Sequence, residues 1–367
     1  MNISEDEKGC ETGWGQRGYC LLSEVFAGAH QHADPDAEAM HLCRVFNRNA
    51  GSLAALRSAA RHGNDEAANV LAWMAVHGLD TLPARPLPPG QARMLQTRFD
   101  ADPEAFIESR KDPYPLLTEG GCWGFDPDWV AGSLDASRNR MAQFVHSRSS
   151  DCAVLIGNGP SLRQVCAQDL VGQDVFISNY AIRHPDWRAV AKGVAVTNRL
   201  VAEQEPHVFQ LPQMWKFHPV WLGHVLGDSP QTVWLNALGG PLFFPTDLLR
   251  RAAWHATVSY FWLQILFHAG YRRVVMTGFD NSYSQPKGLP EGTLIRQETD
   301  DPNHFDPAYF RGKTWQSADT NHMSRTYRLA RQVYEADGRQ IINATVGGQL
   351  EDFPRLPLHD AINMVPV

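Results

Sequence analysis

The chain lacks any run of ~18 consecutive apolar residues, which excludes an obvious membrane-spanning helix. Its beginning, Met1 to Cys20, is polar and acidic, without the apolar stretch and small-residue cleavage site of a secretion signal. Positive charge is scarce as well. Thirty-three Lys and Arg stand against 40 Asp and Glu, a formal net charge of −7, so no global basic field draws in nucleic acid. A local basic groove, or a peripheral association with a membrane surface, stays open. Cysteine is sparse: Cys10, Cys20, Cys43, Cys122, Cys152 and Cys166 form no Cys-x-x-Cys pair, and no His-rich stretch completes a zinc pattern. Free thiols in a reducing, cytoplasmic setting are the expectation. There is no Gly-X-Y period and no low-complexity tract, and 43% hydrophobic residues supply a sizeable core.

What is present divides along the chain. Residues 1–34 read as a polar lead and residues 35–80 as a small helical domain, with apolar stripes such as Met40, Cys43 and Phe46 at helical spacing. Residues 81–125 begin with a proline-rich linker, Pro83 to Pro89, and continue irregularly. From about 126 to 367 the texture is α/β. A helix is predicted over Asp128–His146, from Trp129, Val130, Leu134, Met141, Phe144 and Val145. Short β-rich runs follow at Ala153–Ile156, Asp174–Ile177, Val194–Val196, Thr232–Leu235, Arg273–Met276 and Gln340–Ile342. Helical patterns fall at about 161–170, 246–269 and 320–337. Repeated strand, crossover, strand predicts a Rossmann-like, largely parallel, doubly wound sheet.

Polar residues follow the strands: Asn158, Asn179, Asn198, Asn236, Asp280 and Asn343. Open parallel sheets bind ligands at the carboxyl ends of their strands, and a carboxamide there can meet ribose, base or phosphate. The same residues also favour turns for backbone reasons. After the first strand, Gly157-Asn158-Gly159-Pro160-Ser161-Leu162 combines a tight turn with a proline suited to a helix start. That predicts phosphate or nucleotide near a helix N-terminus. It is neither the dinucleotide fingerprint nor a Walker loop.

The run Val-Leu-Ile-Gly157-Asn158-Gly159-Pro-Ser161-Leu resembles the opening motif of bacterial CMP-sialic-acid-dependent sialyltransferases. It equally resembles that of related proteins grouped with the hydroxymethylpterin diphosphokinase-like family. The similarity continues at Asn179, at Asn198, at Thr257-Val258-Ser259, through Tyr271 to Gly278 and Asp280, and along Thr320 to Asp337. It covers about 151–353 as separated motifs. Val258-Ser259 departs from the Ser-Gly of the related turn. Asp301–Phe305 and Asn343–Gly348 look more like relatives associated with surface polysaccharides.

The resemblance implies a glycosyltransferase for polysaccharide biosynthesis. It would move an acidic sugar, sialic acid or Kdo-like, from a CMP-linked nucleotide sugar to a glycan acceptor, without a metal or other cofactor. The implied donor-site residues are Gly157, Asn158, Gly159, Ser161, Asn179, Asn198, Thr257, Gly278, Asp280 and Asn343.

Such a transfer needs a base for the acceptor hydroxyl. His322 is one candidate, at the start of the helix that Asp319 or Thr320 would cap, where the helix dipole opposes imidazolium. His304, in the loop after the fifth strand, is the other. Tyr283 resembles the tyrosines that donate to the leaving phosphate in the related enzymes. Arg296, Arg311 and Lys313 are further phosphate candidates. Residues 281–315, rich in Gly and Pro, have the composition of a lid. No metal site emerges: Asp34-Pro-Asp36 has the spacing but sits in the polar lead, and Asp300-Asp301 is a lone pair. Trp215, Trp221, Trp234, Trp254 and Trp262 read first as core, with Trp215 or Trp221 the alternative for facing an acceptor.

Two alternatives remain. One is an ATP- and Mg²⁺-dependent diphosphotransferase acting on a pterin-like alcohol. The other is a non-catalytic nucleotide- or glycan-binding protein.

Overall fold

Five consecutive buried residues, Cys152-Ala-Val-Leu-Ile156, form the interior strand β1 of a seven-stranded sheet. A strand covered on both faces has no polar side to show, hence the unbroken apolar run. This computed structural model describes residues 101–102 and 127–364, apart from 211–212, 240–241, 246, 287 and 291. The expected polar lead, helical domain and proline-rich segment lie outside those residues. The chain divides into two compact units, residues 1–115 with 243–247 and residues 116–242 with 248–367. The second unit holds the sheet.

The other strands are β2 (Asp174–Ser178), β3 (Ala191–Ala195), β4 (Trp215–Pro219), β5 (Thr232–Leu235), β8 (Arg273–Thr277) and β11 (Gln340–Asn343). Two small ladders lie outside the sheet: β6 (Ala237–Leu238) with β7 (Ala252–Ala253), and β9 (Leu294–Gln297) antiparallel to β10 (Lys313–Gln316). The sheet order is β11-β8-β1-β2-β3-β4-β5, and every pairing is parallel. The chain thus builds outward from β1 to β5 and returns to place β8 and β11 on the other flank. This is an α/β architecture of Rossmann-like kind, with its switch in strand order between β1 and β8.

Helix α1 (Pro127–His146) spans the segment expected from its apolar spacing. Its Phe144 meets Phe176 of β2 and Phe217 of β4, with ring centroids 5.8 and 4.8 Å apart. Those two rings also contact Trp262 of α4 (Val258–His268), so α1 and α4 cover one face of the sheet. Helix α5 (Thr320–Ala336) packs on α4, its Tyr334 hydroxyl donating to the Leu263 carbonyl at 2.6 Å. The shorter helices α2 (Pro185–Val190), α3 (Arg199–Gln204) and α6 (Leu358–Asn363) complete the unit.

Three expectations need correction. The pattern at 161–170 forms two short 3-10 turns, Pro160–Gln164 and Ala167–Leu170, because Val165 and Cys166 between them are extended. The pattern at 246–269 is helical only from Val258, where Thr257 caps the helix by accepting from the Ser259 amide. Strand β4 was not expected: Trp215-Lys-Phe-His-Pro219 is short, carries Lys and His and ends in Pro, yet all five residues are buried. Lys216 reaches the Ser229 hydroxyl at 2.9 Å. His218 sits beside Trp234, and burial lowers its pKa to about 3, so it is neutral.

Away from the strand ends that carry the candidate site, Asp174 anchors the start of β2. It accepts from Lys192 at 2.7 Å, the Ser149 amide at 2.9 Å and hydroxyl at 2.7 Å, and Tyr271 at 2.7 Å. Burial works against its ionisation, but these bonds outweigh it and hold the carboxyl below its usual value.

Candidate active site

The turns after β1 and β8 do not splay apart at the switch point. The Gly157 amide donates to the Thr277 carbonyl at 2.8 Å, and the Gly159 amide to the Gly278 carbonyl at 2.9 Å. A Cβ at Gly157 would stand 2.2 Å from the Gly278 oxygen, and one at Gly159 1.9 Å from a carboxylate oxygen of Asp280. Both glycines are therefore demanded by close approach of the two turns.

The anion at this turn belongs to the protein. Asp280 accepts from the Ser161 hydroxyl at 2.7 Å and from the Ser161 amide at 3.2 and 3.3 Å. The expected helix N-terminus is corrected: the following element is a five-residue 3-10 turn, and the Asp280 carboxylate accepts from its Ser161 amide. Ser161 acts as the latch for Asp280 and lines neither cavity.

The open space lies beside the latch. A small cavity of about 110 Å³ is bordered by Gly157, Asn158, Gly159, Asn179, Thr257, Gly278, Asp280, Tyr283 and His304. A larger one of about 1260 Å³ extends from it past Asn198, Trp221, Trp254, Trp315 and His322. Asn179, Thr257, Val258, Tyr283 and His304 line both, so these residues mark the junction.

The small cavity contains unmet hydrogen-bonding capacity. The carboxamide oxygens of Asn158 and Asn179 are buried without a partner. Asn179 also holds φ 51°, a left-handed conformation that Asn tolerates better than most residues and that follows directly on β2. Asn198 has a divided role. Its oxygen caps α3 by accepting from the Leu200 and Val201 amides, while its nitrogen donates to Gln316 at 3.0 Å across the large cavity's wall. Burial, with Tyr327 and Asp280 adding to it, pushes the Tyr283 phenol far above its ordinary range, so it remains a protonated donor.

The two histidines are placed differently. His322 lies in the first turn of α5, its amide bonded to the Asp319 carboxylate at 3.0 Å and its ring edge-on to His255 at 5.9 Å. It borders the large cavity. His304 borders both cavities, with Nδ1 2.7 Å from Oδ2 of the buried Asp301. Its ring lies flat on Tyr309, centroids 4.0 Å apart and planes at 5°.

The segment expected as a lid is pinned at this point. The Phe305 amide donates to the Asn158 carbonyl at 2.9 Å, and Arg163 donates to the carbonyls of Phe305 and His304 at 2.7 and 3.2 Å.

Several predicted residues lie elsewhere. Asn343 is wholly buried and braces the C-terminal loop, donating to Leu350 at 2.7 Å and accepting from the Thr345 amide at 3.0 Å. It lines neither cavity, because β11 is the edge strand beyond β8. Asn236 similarly braces the Arg250 carbonyl at 3.1 Å. Arg296, Arg311 and Lys313 pair with Glu298, Asp300 and Glu205 outside both cavities. Trp215 is core, whereas Trp221 faces the large cavity against Trp254, centroids 5.1 Å apart. Trp254, expected as core, lines the large cavity instead, and neither Trp315 nor the pairing of Asp301 with His304 was expected. The three-residue spacing of that last pair was a usable signal.

Among the described residues there is no group of three or more His, Cys, Asp or Glu side chains that could hold a metal ion, and no helix long and apolar enough to cross a membrane. Comparison with known proteins gives no matching family model, no significant match among curated proteins and none among solved structures.

Proposed function

We propose that this protein is a glycosyltransferase that moves an acidic sugar, sialic acid or Kdo-like, from a CMP-activated donor to a glycan acceptor. The observation that carries the reading is the junction. A small, polar cavity at the ends of β1 and β2 opens into a large aromatic-walled one, with His304 and Tyr283 at the passage between them.

The small cavity supports the nucleotide side. Its volume of about 110 Å³ holds a few waters or one ring. The two unpartnered carboxamide oxygens call for hydrogen-bond donors, which ribose hydroxyls and the exocyclic amine of cytosine provide. A phosphate has none to give, and Asp280 repels it from the glycine turn. The phosphate then belongs nearer the passage, where the protonated Tyr283 can donate to the departing oxygen. The large cavity, walled by Trp221, Trp254 and Trp315, suits the acceptor: indole faces cover the apolar side of a sugar ring while Asn198, Gln316 and Ser317 supply polar contacts.

The test is hydrolysis and transfer measured over a panel of CMP-, UDP- and GDP-sugars. Turnover of a CMP-linked acidic sugar is expected in preference to the others. A protein that binds CMP no better than UMP and turns over none of the panel refutes the reading.

A further inference from the structure

We propose that His304 is the base of the transfer and that Asp301 is the residue positioning it. This rests on the glycosyltransferase reading, and it chooses between two histidines that the sequence leaves open. Asp301 lies in β-free loop structure yet is 3% exposed, and both of its oxygens are used. Oδ1 accepts from the Asn303 amide at 2.8 Å, and Oδ2 meets His304 Nδ1 at 2.7 Å. An ionised carboxylate can only accept, so Nδ1 carries the hydrogen and the lone pair is left on Nε2.

The ring plane is held independently of that bond. Tyr309 stacks on it at 4.0 Å, and the Tyr309 hydroxyl is itself fixed by the Tyr180 amide at 3.1 Å. The peptide on either side is tied down as well. Asn303 exchanges hydrogen bonds with the Ser284 backbone at 2.6 and 3.2 Å, and Arg163 holds the carbonyls of His304 and Phe305. A side chain whose tautomer is set and whose ring is fixed beside two cavities is preorganised before substrate arrives. His322 borders only the larger cavity.

In the step itself, His304 Nε2 takes the proton of the acceptor hydroxyl. The acceptor oxygen bonds to the anomeric carbon, and the bond from that carbon to the phosphate oxygen breaks. The electron pair leaves with CMP, and the imidazolium later releases its proton to water.

The test uses the isosteric variant Asp301→Asn in the full chain, with ¹⁵N NMR of the imidazole nitrogens and turnover of a CMP-sugar. Wild-type His304 should show hydrogen on Nδ1 and none on Nε2. In Asp301→Asn the carboxamide nitrogen can donate to Nδ1, which moves the hydrogen to Nε2 and removes the base from the passage. Turnover should then fall by ~10²–10⁴-fold with CMP affinity unchanged, a loss that a merely structural role would not produce.

Hydrogen on Nε2 in the wild type overturns the positioning role, and needs no variant to fold. Reversed tautomers with undiminished turnover overturn the assignment of the base while leaving glycosyl transfer intact. A wild-type protein that turns over no nucleotide sugar removes the base assignment together with the proposed function, and the tautomer still judges Asp301 separately.

Discussion

Replacing Asn158 by alanine separates stability from ligand binding. The carboxamide oxygen is buried beside the small cavity at the end of β1 and has no hydrogen-bond partner within the protein. Alanine removes that atom. It also keeps the backbone bond from the Phe305 amide to the residue 158 carbonyl, 2.9 Å in length, so the loop stays anchored. The unliganded variant should therefore stay within about 1 kcal/mol of the parent's stability by urea titration.

Binding should weaken. A cytidine hydrogen-bond donor that loses its acceptor inside the small cavity forfeits about 1–3 kcal/mol. At 1.4 kcal/mol per tenfold, calorimetry should record CMP affinity weaker by roughly 5- to 150-fold. Asn179 supplies the contrast. Its φ of 51° makes alanine strained there, so Asn179→Ala should lose both affinity and about 1–2 kcal/mol of stability, while Asn179→Gly loses affinity alone. An Asn158→Ala protein destabilised by more than ~1 kcal/mol, or one binding CMP as tightly as the parent, refutes the reasoning.

Further outcomes follow from other contacts. Gly157→Ala forces a Cβ to within 2.2 Å of a backbone oxygen and should lower stability by about 1–3 kcal/mol or more in urea titration. Tyr283→Phe should reduce turnover by ~10²–10³-fold with CMP affinity nearly intact, since the phenol is needed as a donor when charge develops on the leaving oxygen. Asp174 has its carboxyl held below the ordinary value of 3.8, so its stabilisation is fully present above that pH and is lost as pH falls through the lower folded value. Urea midpoints followed downward from about pH 6 should drop less steeply in Asp174→Asn, which starts from a lower plateau. Trp254→Ala, at a side chain 47% exposed on the large cavity, should raise KM for the glycan acceptor and leave CMP binding and the thermal midpoint nearly unchanged.

Six of the seven sheet strands were legible in the amino-acid pattern, β4 being the exception. Ala153–Ile156 is a continuous apolar run and Thr232–Leu235 nearly so, the pattern of a short strand buried on both faces. The sequence likewise determined α1 and α5, whose apolar residues recur along one side. Pattern could not separate a ligand-binding Asn from a structural one. Asn158 follows β1 and Asn343 ends β11, but strand order puts β1 inside the sheet and β11 at its edge, leaving one beside a cavity and the other bonded to Leu350.

What the glycine turn holds follows from long-range contact alone. Asp280 lies 119 residues beyond Ser161, and no local preference predicts that parallel pairing of β1 with β8 will bring its carboxylate onto the Ser161 amide. The same reason hid the exact setting of His304. Its neighbours Asp301 and Tyr309 are close in sequence, but its place between two cavities depends on Asn158, which reaches it through the folded sheet.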